Sequence, residues 1–348
     1  MTPDAPLRTA IALLAEGTSL TAEGAAAAFE VVMRGDASPV QAAALLMGLR
    51  AKGETADELA GAALALRRAM VRVDLGDGTA AVDTCGTGGG RIGTLNLSTA
   101  AAFVVAGAGV PVAKHGNRSF TSRSGSADVL EALGVEIGLA PARAAAVLEA
   151  AGLVFLFAPT YHPAMRHVGP VRRELAVPTI MNLLGPLVNP AGVRRQVIGV
   201  ADPARAPLVA GALARLGACH ALVLHGEIGM DEVSPHGATA VWEVREGAVE
   251  RWTIDPGAHG LDCDDLDGLA GGEPAENAER IEALFSGDGS RAARCAVLLN
   301  AAAALYVSGN GWTMDEAAER ARSALESGAA RAALDRLRQA APRVSTSG

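Results

Sequence analysis

The sequence predicts an α/β fold in two parts, a small all-helical domain plus a larger α/β domain with a mostly parallel central sheet. Three observations carry this. Helix caps follow one another up to about residue 72 with no two-residue period. From about residue 79, short apolar runs alternate with helical stretches, the pattern of parallel strands joined by helices. Finally, 348 residues are long for a single hydrophobic core.

The expected helical domain spans residues 1–72 and takes back a returning segment at about 161–190; the α/β domain comprises 79–160 and 191–342. Thr21 caps a helix to about Met33, with Glu23 in the first turn, where the helix dipole favours an acid. Ser38-Pro39 opens Val40–Ala51, and the capping box from Thr55 to Glu58 opens a helix to about Val71. Asp74–Gly78 reads as a hinge. Ala80–Asp83, Val110–Ala113 and Leu153–Phe157 are predicted strands, and Ser98–Ala108, Ala127–Gly134 and Pro141–Ala151 predicted helices.

Tyr161–Asn189 interrupts the alternation. It is helical in character, carries Arg166, His167, Arg172 and Arg173, and ends in Leu184-Gly185-Pro186 and Asn189-Pro190 breaks. Gln196–Val200, Leu208–Leu216 and His220–His225 then restore strand, helix and strand, and Ala238–Val244 and Val249–Ile254 form a hairpin around Glu246-Gly247. Asp262–Asp267 holds four acids without calcium-loop spacing and reads as a solvated loop. The capping box from Thr313 to Glu316 opens a helix that stops at Gly328, and the tail after Pro342 is expected to fray.

Composition bounds the function. With 50% apolar and 20% charged residues the chain is globular, and its net charge of −8 disfavours nucleic acid, whose phosphates select basic surfaces. Cys85, Cys219, Cys263 and Cys295 show no CxxC spacing, which reads as free thiols in a reducing compartment. The N-terminus lacks signal-peptide character, and the apolar run Ala100–Ala113 is too short and Gly-rich to span a bilayer. The expectation is a cytoplasmic protein with neither membrane nor nucleic acid as partner.

The chemistry concentrates in Asp83–Ser126. After Asp83 this stretch has no carboxylate, yet it carries Arg91, Lys114, His115, Arg118 and Arg123 among glycines and hydroxyls. Cations, hydroxyls and bare amides with acids excluded describe a pocket for a highly charged anion. Gly88–Gly93 satisfies GxGxxG, but the ribose-binding acid of a dinucleotide fold is missing downstream, and no Walker A pattern is present. Asn96-Leu97-Ser98-Thr99 opens an Ala-rich helix, and Lys114-His115-Gly116-Asn117-Arg118-Ser119 directly follows a predicted strand. Lys52 and Lys114 are the chain's two lysines. Asp231-Glu232, after the strand ending at His225, is a pair that a phosphate-bound Mg²⁺ would bridge.

These segments, with Arg166–Arg172, Asn182–Pro190 and Met230–Ser234, resemble anthranilate phosphoribosyltransferases over nearly the whole chain. The resemblance implies transfer of the phosphoribosyl group of phosphoribosyl pyrophosphate (PRPP) to the amine of anthranilate, in tryptophan biosynthesis. It implies Mg²⁺, a homodimer through the helical domains, and domain closure over substrate. Carried over, Gly86, Gly89, Gly90, Thr94, Asn96, Leu97, Ser98, Thr99, Lys114, His115, Gly116, Asn117, Arg118, Ser119, Phe120, Thr121, Ser122 and Ser126 would hold PRPP. Gly86, Asn117 and Arg172 would hold anthranilate, and Ser98, Asp231 and Glu232 the metal. No side chain is assigned as an acid or base; Lys114 and Arg118 would act electrostatically. One departure stands out: the family pattern GTGGD has Gly90 in the acid's place. A pyrimidine nucleoside phosphorylase would share the glycine loop without the Asn117/Arg172 pair, and a non-catalytic nucleic-acid-binding relative would use a basic groove.

Overall fold

The computed structural model describes residues 3–76, 80–90, 92–119 and 123–343. Four helices come first: α1 (Ala5–Ala15), α2 (Ala22–Arg34), α3 (Pro39–Lys52) and α4 (Ala56–Ala69). Their starts follow from their caps. The Thr21 hydroxyl accepts the Gly24 amide at 3.1 Å, and Ser38/Gln41 and Thr55/Glu58 form reciprocal capping boxes.

The α/β part runs β1 (Val82–Gly86), α5 (Leu97–Gly107), β2 (Val112–Gly116), α6 (Ser126–Ala132), α7 (Ala144–Ala151) and β3 (Leu153–Phe157). The short helices α8 (Ala158–Tyr161), α9 (Gly169–Leu175) and α10 (Met181–Leu184) fill the returning segment. Then follow β4 (Arg195–Gly199), α11 (Ala206–Arg215), β5 (His220–Gly226), β6 (Thr239–Arg245), β7 (Ala248–Ile254), α12 (Pro274–Phe285), α13 (Arg291–Val307), α14 (Met314–Glu326) and α15 (Ala329–Ala340). One seven-stranded sheet results, in the order β3-β2-β1-β4-β5-β6-β7, parallel through β5 with β6 and β7 antiparallel.

Both faces of the sheet are covered. Val197, Leu222 and Leu224 point into a core with α5, α7 and α12–α15, while the alternate residues Ile198, Ala221 and Val223 point into a core shared with α11 and the four-helix bundle. Val168, Val171, Ile180, Leu184 and Leu187 of the returning segment join that second core.

The first two strands differ from the expectation. They run on through Thr84–Gly86 and Lys114–Gly116, where backbone pairing (Cys85 with Ile198, Lys114 with Phe155) continues under polar side chains. Apolarity marks where a strand is buried in the core, not where its ladder ends. Lys114 therefore lies within β2 and not after it. Of the expected hinge, residues 77–78 lie outside the described residues.

Helices α2 and α4 touch through Gly61: a Cβ there would lie 2.2 Å from the Ala22 carbonyl oxygen and 2.9 Å from the Ala25 Cβ. Gly61→Ala gains about 1 kcal/mol in helix propensity, but overpacking of this kind costs about 1–3 kcal/mol. The variant should melt several degrees lower; an unchanged melting temperature would mean that the two helices separate at no cost.

Candidate active site

In the strand order, the chain leaves β1 for β2 on one side and returns to β4 on the other. The crevice beyond the carboxyl ends of β1 and β4 is thus the topological switch point, where parallel sheets take ligands. Gly86 ends β1 and Gly199 ends β4. A tight turn after β5, with the Gly226 amide on the Met230 carbonyl at 2.9 Å, folds Asp231 and Glu232 back over the crevice.

Asp231 fits there because its neighbours lack side chains. Cβ atoms built on Gly199, Gly90 and Gly86 would lie 1.6, 2.5 and 3.1 Å from the oxygens of Asp231. Gly88 and Gly89 have φ of +70° and +87°, which turn the loop sharply, and the Gly88 amide hydrogen-bonds the Asp231 carboxylate. Glu232 accepts the Thr94 hydroxyl at 2.7 Å and the Ser98 amide at 3.3 Å. Burial, then the neighbouring Asp231, pushes the Glu232 carboxyl up to about 8; burial also raises Asp231. Beside them lies a cavity of about 10 Å³ lined by Thr84, Cys85, Ser98, Val197, Gly199, Leu224, Asp231, Glu232 and Asn300. Asn300, from the middle of α13, binds both the amide (3.0 Å) and the carbonyl (2.9 Å) of Val233, fixing the segment that carries the acids.

Lys114 is buried and donates to the Thr84 carbonyl and to the Ser98 hydroxyl, the latter at 3.2 Å. Burial lowers its pKa, opposed by Asp83, Cys85 and Glu232. Asp83, fully buried, accepts the His115 amide at 3.2 Å and the Asn189 side-chain amide at 2.8 Å; burial raises its pKa. His115 lies 3.2 Å from the Gly185 carbonyl through Nδ1 and 3.2 Å from His162 Nε2 through its own Nε2. Burial, and for His115 the facing ring, brings the two imidazoles down to about 3 and about 4. Both rings are neutral near pH 7, so His115 brings no charge to an anion.

The remaining expected anion-holding residues divide. The side chains of Leu97 and Thr99 are buried in α5, leaving only their main chain to a ligand, and Thr99 Oγ1 has no partner among the described residues. Asn117 accepts the Arg118 amide at 2.8 Å, Asp128 accepts the Ser119 amide at 3.2 Å, and Ser126 donates to the Asn117 carbonyl at 3.3 Å. Arg118 pairs with Asp128 at 2.7 Å and Glu131 at 2.6 Å, which raises its pKa and engages its charge. Gly116 would bring a Cβ to 2.2 Å from the Ser126 hydroxyl, so strand and loop meet at van der Waals contact. Arg172, on α9, is half-buried and has neither ion pair nor hydrogen bond to its side chain among the described residues; burial lowers its pKa. Arg91, Phe120, Thr121 and Ser122 lie outside the described residues.

Asn300 and Gly199 escaped the sequence reading. A lone polar residue within Val297–Leu305 was the one visible sign of the first, and a strand-ending glycine of the second.

The pattern of the glycosyl transferase family a/b domain matches residues 78–331, and that of its helical bundle domain residues 8–70. The anthranilate phosphoribosyltransferase of Rubrobacter xylanophilus is 51% identical over 330 residues, 95% of this chain and 96% of its own. That of Roseiflexus castenholzii is 50% identical over 333 residues, 95% of this chain and 97% of its own. The crystal structure of anthranilate phosphoribosyltransferase from Thermus thermophilus superposes with a TM-score of 0.89 at 43% identity, over 95% of this chain and 98% of that one. The Saccharomyces cerevisiae protein in complex with PRPP and Mg does so with a TM-score of 0.87 at 28% identity, over 97% and 98%.

The buried imidazole pair makes stability depend on pH. Below pH 6.5 the unfolded chain protonates His115 and His162 while the folded protein resists until about 3 to 4. The unfolded state then binds more protons, so stability falls on acidification, by up to about 1.4 kcal/mol per pH unit for each ring. His162→Gln should flatten denaturant midpoints measured between pH 6.5 and 4.5; an unchanged slope would mean the rings titrate normally in the folded state. At Gly90, φ is not left-handed, so an Asp meets no backbone strain, but its Cβ would press on Asp231. Gly90→Asp should melt lower than the parent in chelator and regain more on adding Mg²⁺. Equal Mg²⁺-induced shifts in the two proteins would exclude a third metal-facing acid at this position.

Proposed function

The chain belongs to the anthranilate phosphoribosyltransferase family, and we propose that the glycine-lined crevice at the ends of β1 and β4 is where its reaction takes place. That reaction transfers the phosphoribosyl group of PRPP to the amine of anthranilate and releases pyrophosphate, a step of tryptophan biosynthesis. The observation that carries the assignment of the crevice is the convergence on Ser98: its amide on Glu232, its hydroxyl on Lys114, with Asp231 alongside.

Mg²⁺ serves the reaction, and the residues fit it. Two carboxylates whose burial and closeness oppose ionisation, beside a hydroxyl, are hard oxygen donors that a divalent cation would stabilise. Ser98, Asp231 and Glu232 would hold it, and it would supply positive charge to the leaving pyrophosphate. Breaking the anomeric C–O bond builds positive charge on the ribose and negative charge on the pyrophosphate. Lys114 and the amides of Gly89 and Gly90 would stabilise the latter. We assign PRPP to Gly86, Gly89, Gly90, Thr94, Asn96, Ser98, Lys114, Gly116, Asn117, Ser119 and Ser126, with the main chain of Leu97 and Thr99. Arg118 can serve PRPP only by leaving Asp128 and Glu131.

Anthranilate's amine is neutral at pH 7, so the transfer needs orientation more than a base. Arg172, free of any acid among the described residues, suits the anthranilate carboxylate bidentately, and Asn117 is its companion in this reading.

We infer a division into 1–72 with 161–190, and 79–160 with 191–342. Its support is the bundle core, which takes residues of both helical segments, and the adjacent crossings, Val71 amide to Tyr161 carbonyl at 2.8 Å and Val73 amide to Pro190 carbonyl at 3.0 Å. A homodimer through the helical domains is supported by apolar side chains exposed on packed neighbours: Leu13 on α1, Val40 and Met47 on α3, and Val177 after α9. Four free thiols support a cytoplasmic location. Among the described residues, no helix is long and apolar enough to cross a membrane.

Loss of anthranilate fluorescence on adding PRPP and Mg²⁺ tests the reaction; no loss at high protein concentration rejects it. Arg172→Ala should raise the KM for anthranilate about ten- to a hundredfold, the scale of a lost charged hydrogen bond, with little change for PRPP. A larger change for PRPP would move Arg172 to the phosphate side.

A further inference from the structure

Asn96 stands at the N-cap of α5, where an asparagine side chain ordinarily accepts an amide of its own helix, yet it makes no such bond. Both lone pairs of its Oδ1 are taken elsewhere: Asn277 Nδ2 donates to it at 2.9 Å and the Ser124 hydroxyl at 3.1 Å. Its Nδ2 donates to the Ser124 carbonyl at 3.0 Å. Asn277, in the first turn of α12 and 1% exposed, accepts the Gly272 amide at 2.8 Å.

The direction of this chain is forced at both ends. The Gly272 amide can only donate and the Ser124 carbonyl can only accept, so each asparagine amide between them has one orientation. The segment carrying it is itself fixed, with the Leu95 amide on the Leu269 carbonyl at 2.8 Å and the Gly271 amide on the Gly93 carbonyl at 2.9 Å.

We propose that Asn277 is a positioning residue for PRPP: by donating to Asn96 Oδ1 it holds that side chain turned away from α5 and toward Ser124, and so fixes the serine loop at Ser124 relative to the start of α5. This rests on the reading of Thr94–Ser98, Asn117–Ser119 and Ser126 as PRPP-holding residues. Without Asn277, Asn96 keeps only its two bonds to Ser124, and the link from the Gly272 amide through the two asparagines to the serine loop is broken.

The test compares Asn277→Ala, Asn277→Asp, Asn96→Ala and the Asn277→Ala/Asn96→Ala double variant in steady-state kinetics, with the melting temperature of each. Asn277→Ala should raise the KM for PRPP about tenfold, the scale of one lost buried hydrogen bond, with the KM for anthranilate unchanged. Asn277→Asp, equal in volume but offering an acceptor to Asn96 Oδ1, should be worse than alanine. The double variant should be no worse than Asn96→Ala alone, because Asn277 reaches the serine loop only through Asn96. Where the alanine protein does not fold, Asn277→Ser carries the same comparison.

Equal rises in both KM values, a lower melting temperature with neither KM changed, or multiplicative effects in the double variant would overturn the inference. So would a raised KM for PRPP in Asn96→Ala beside a normal one in Asn277→Ala, and this would leave the site reading intact. An Asn96→Ala protein with an unchanged KM for PRPP would overturn both.

Discussion

The site depends on a steric constraint: one aspartate is pressed into a crevice that only glycine can line. Gly199, Gly90 and Gly86 come from three segments, and a Cβ on the first would lie 1.6 Å from the Asp231 carbonyl oxygen. That contact lets the turn after β5 lie across the ends of β1 and β4. It brings Asp231 against the Gly88 amide and Glu232 against Thr94 and Ser98, and it holds both carboxylates partly out of bulk water. The raised pKa of Glu232 is the electrostatic consequence of that packing. Two neighbouring acids are an unfavourable concentration of negative charge, and Lys114 partly offsets it.

Around this crevice the chain uses side-chain amides where more charge would be costly. Asn300 grips Val233 and Asn189 joins Asp83 to the Ala113 carbonyl, each buried with its polar atoms paired. An amide carries both a donor and an acceptor, so it can join two backbone segments without adding charge to a region already holding Asp83, Lys114, Asp231 and Glu232. The loops are thereby positioned from segments distant in the chain. Donors fixed in this way are what electrostatic stabilisation of a leaving group requires.

Much of the fold was legible because its signals are local. Caps at Thr21, Ser38, Thr55 and Thr313 each open the helix they predict, and the alternation after residue 79 gives a mostly parallel sheet. The basic, glycine-rich stretch at Asp83–Ser126 and the Asp231–Glu232 pair, which the fold brings to one crevice through Ser98 and Lys114, are visible as charge composition. What could not be read depends on the third dimension. The strands carrying Thr84 and Lys114 extend under polar residues because backbone pairing, and not hydrophobicity, sustains them there. The engagement of Arg118 by Asp128 and Glu131, and the diversion of Asn96 from its helix, needed coordinates.

Arg172 and Lys114 show how the two cores divide the labour. Lys114 is locked in β2, with its nitrogen on atoms of β1 and α5, so its position relative to the crevice is fixed by the sheet. Arg172 belongs to α9, whose neighbours Val168 and Val171 pack in the bundle core. The half-buried Arg172 guanidinium has no acid partner among the described residues, and burial lowers its pKa without removing its charge. In the function proposed above, the group for the acceptor's carboxylate thus packs in one core and the groups for the donor's phosphates lie at the sheet, with backbone hydrogen bonds from Val71 to Tyr161 and from Val73 to Pro190 tying the connecting segments together.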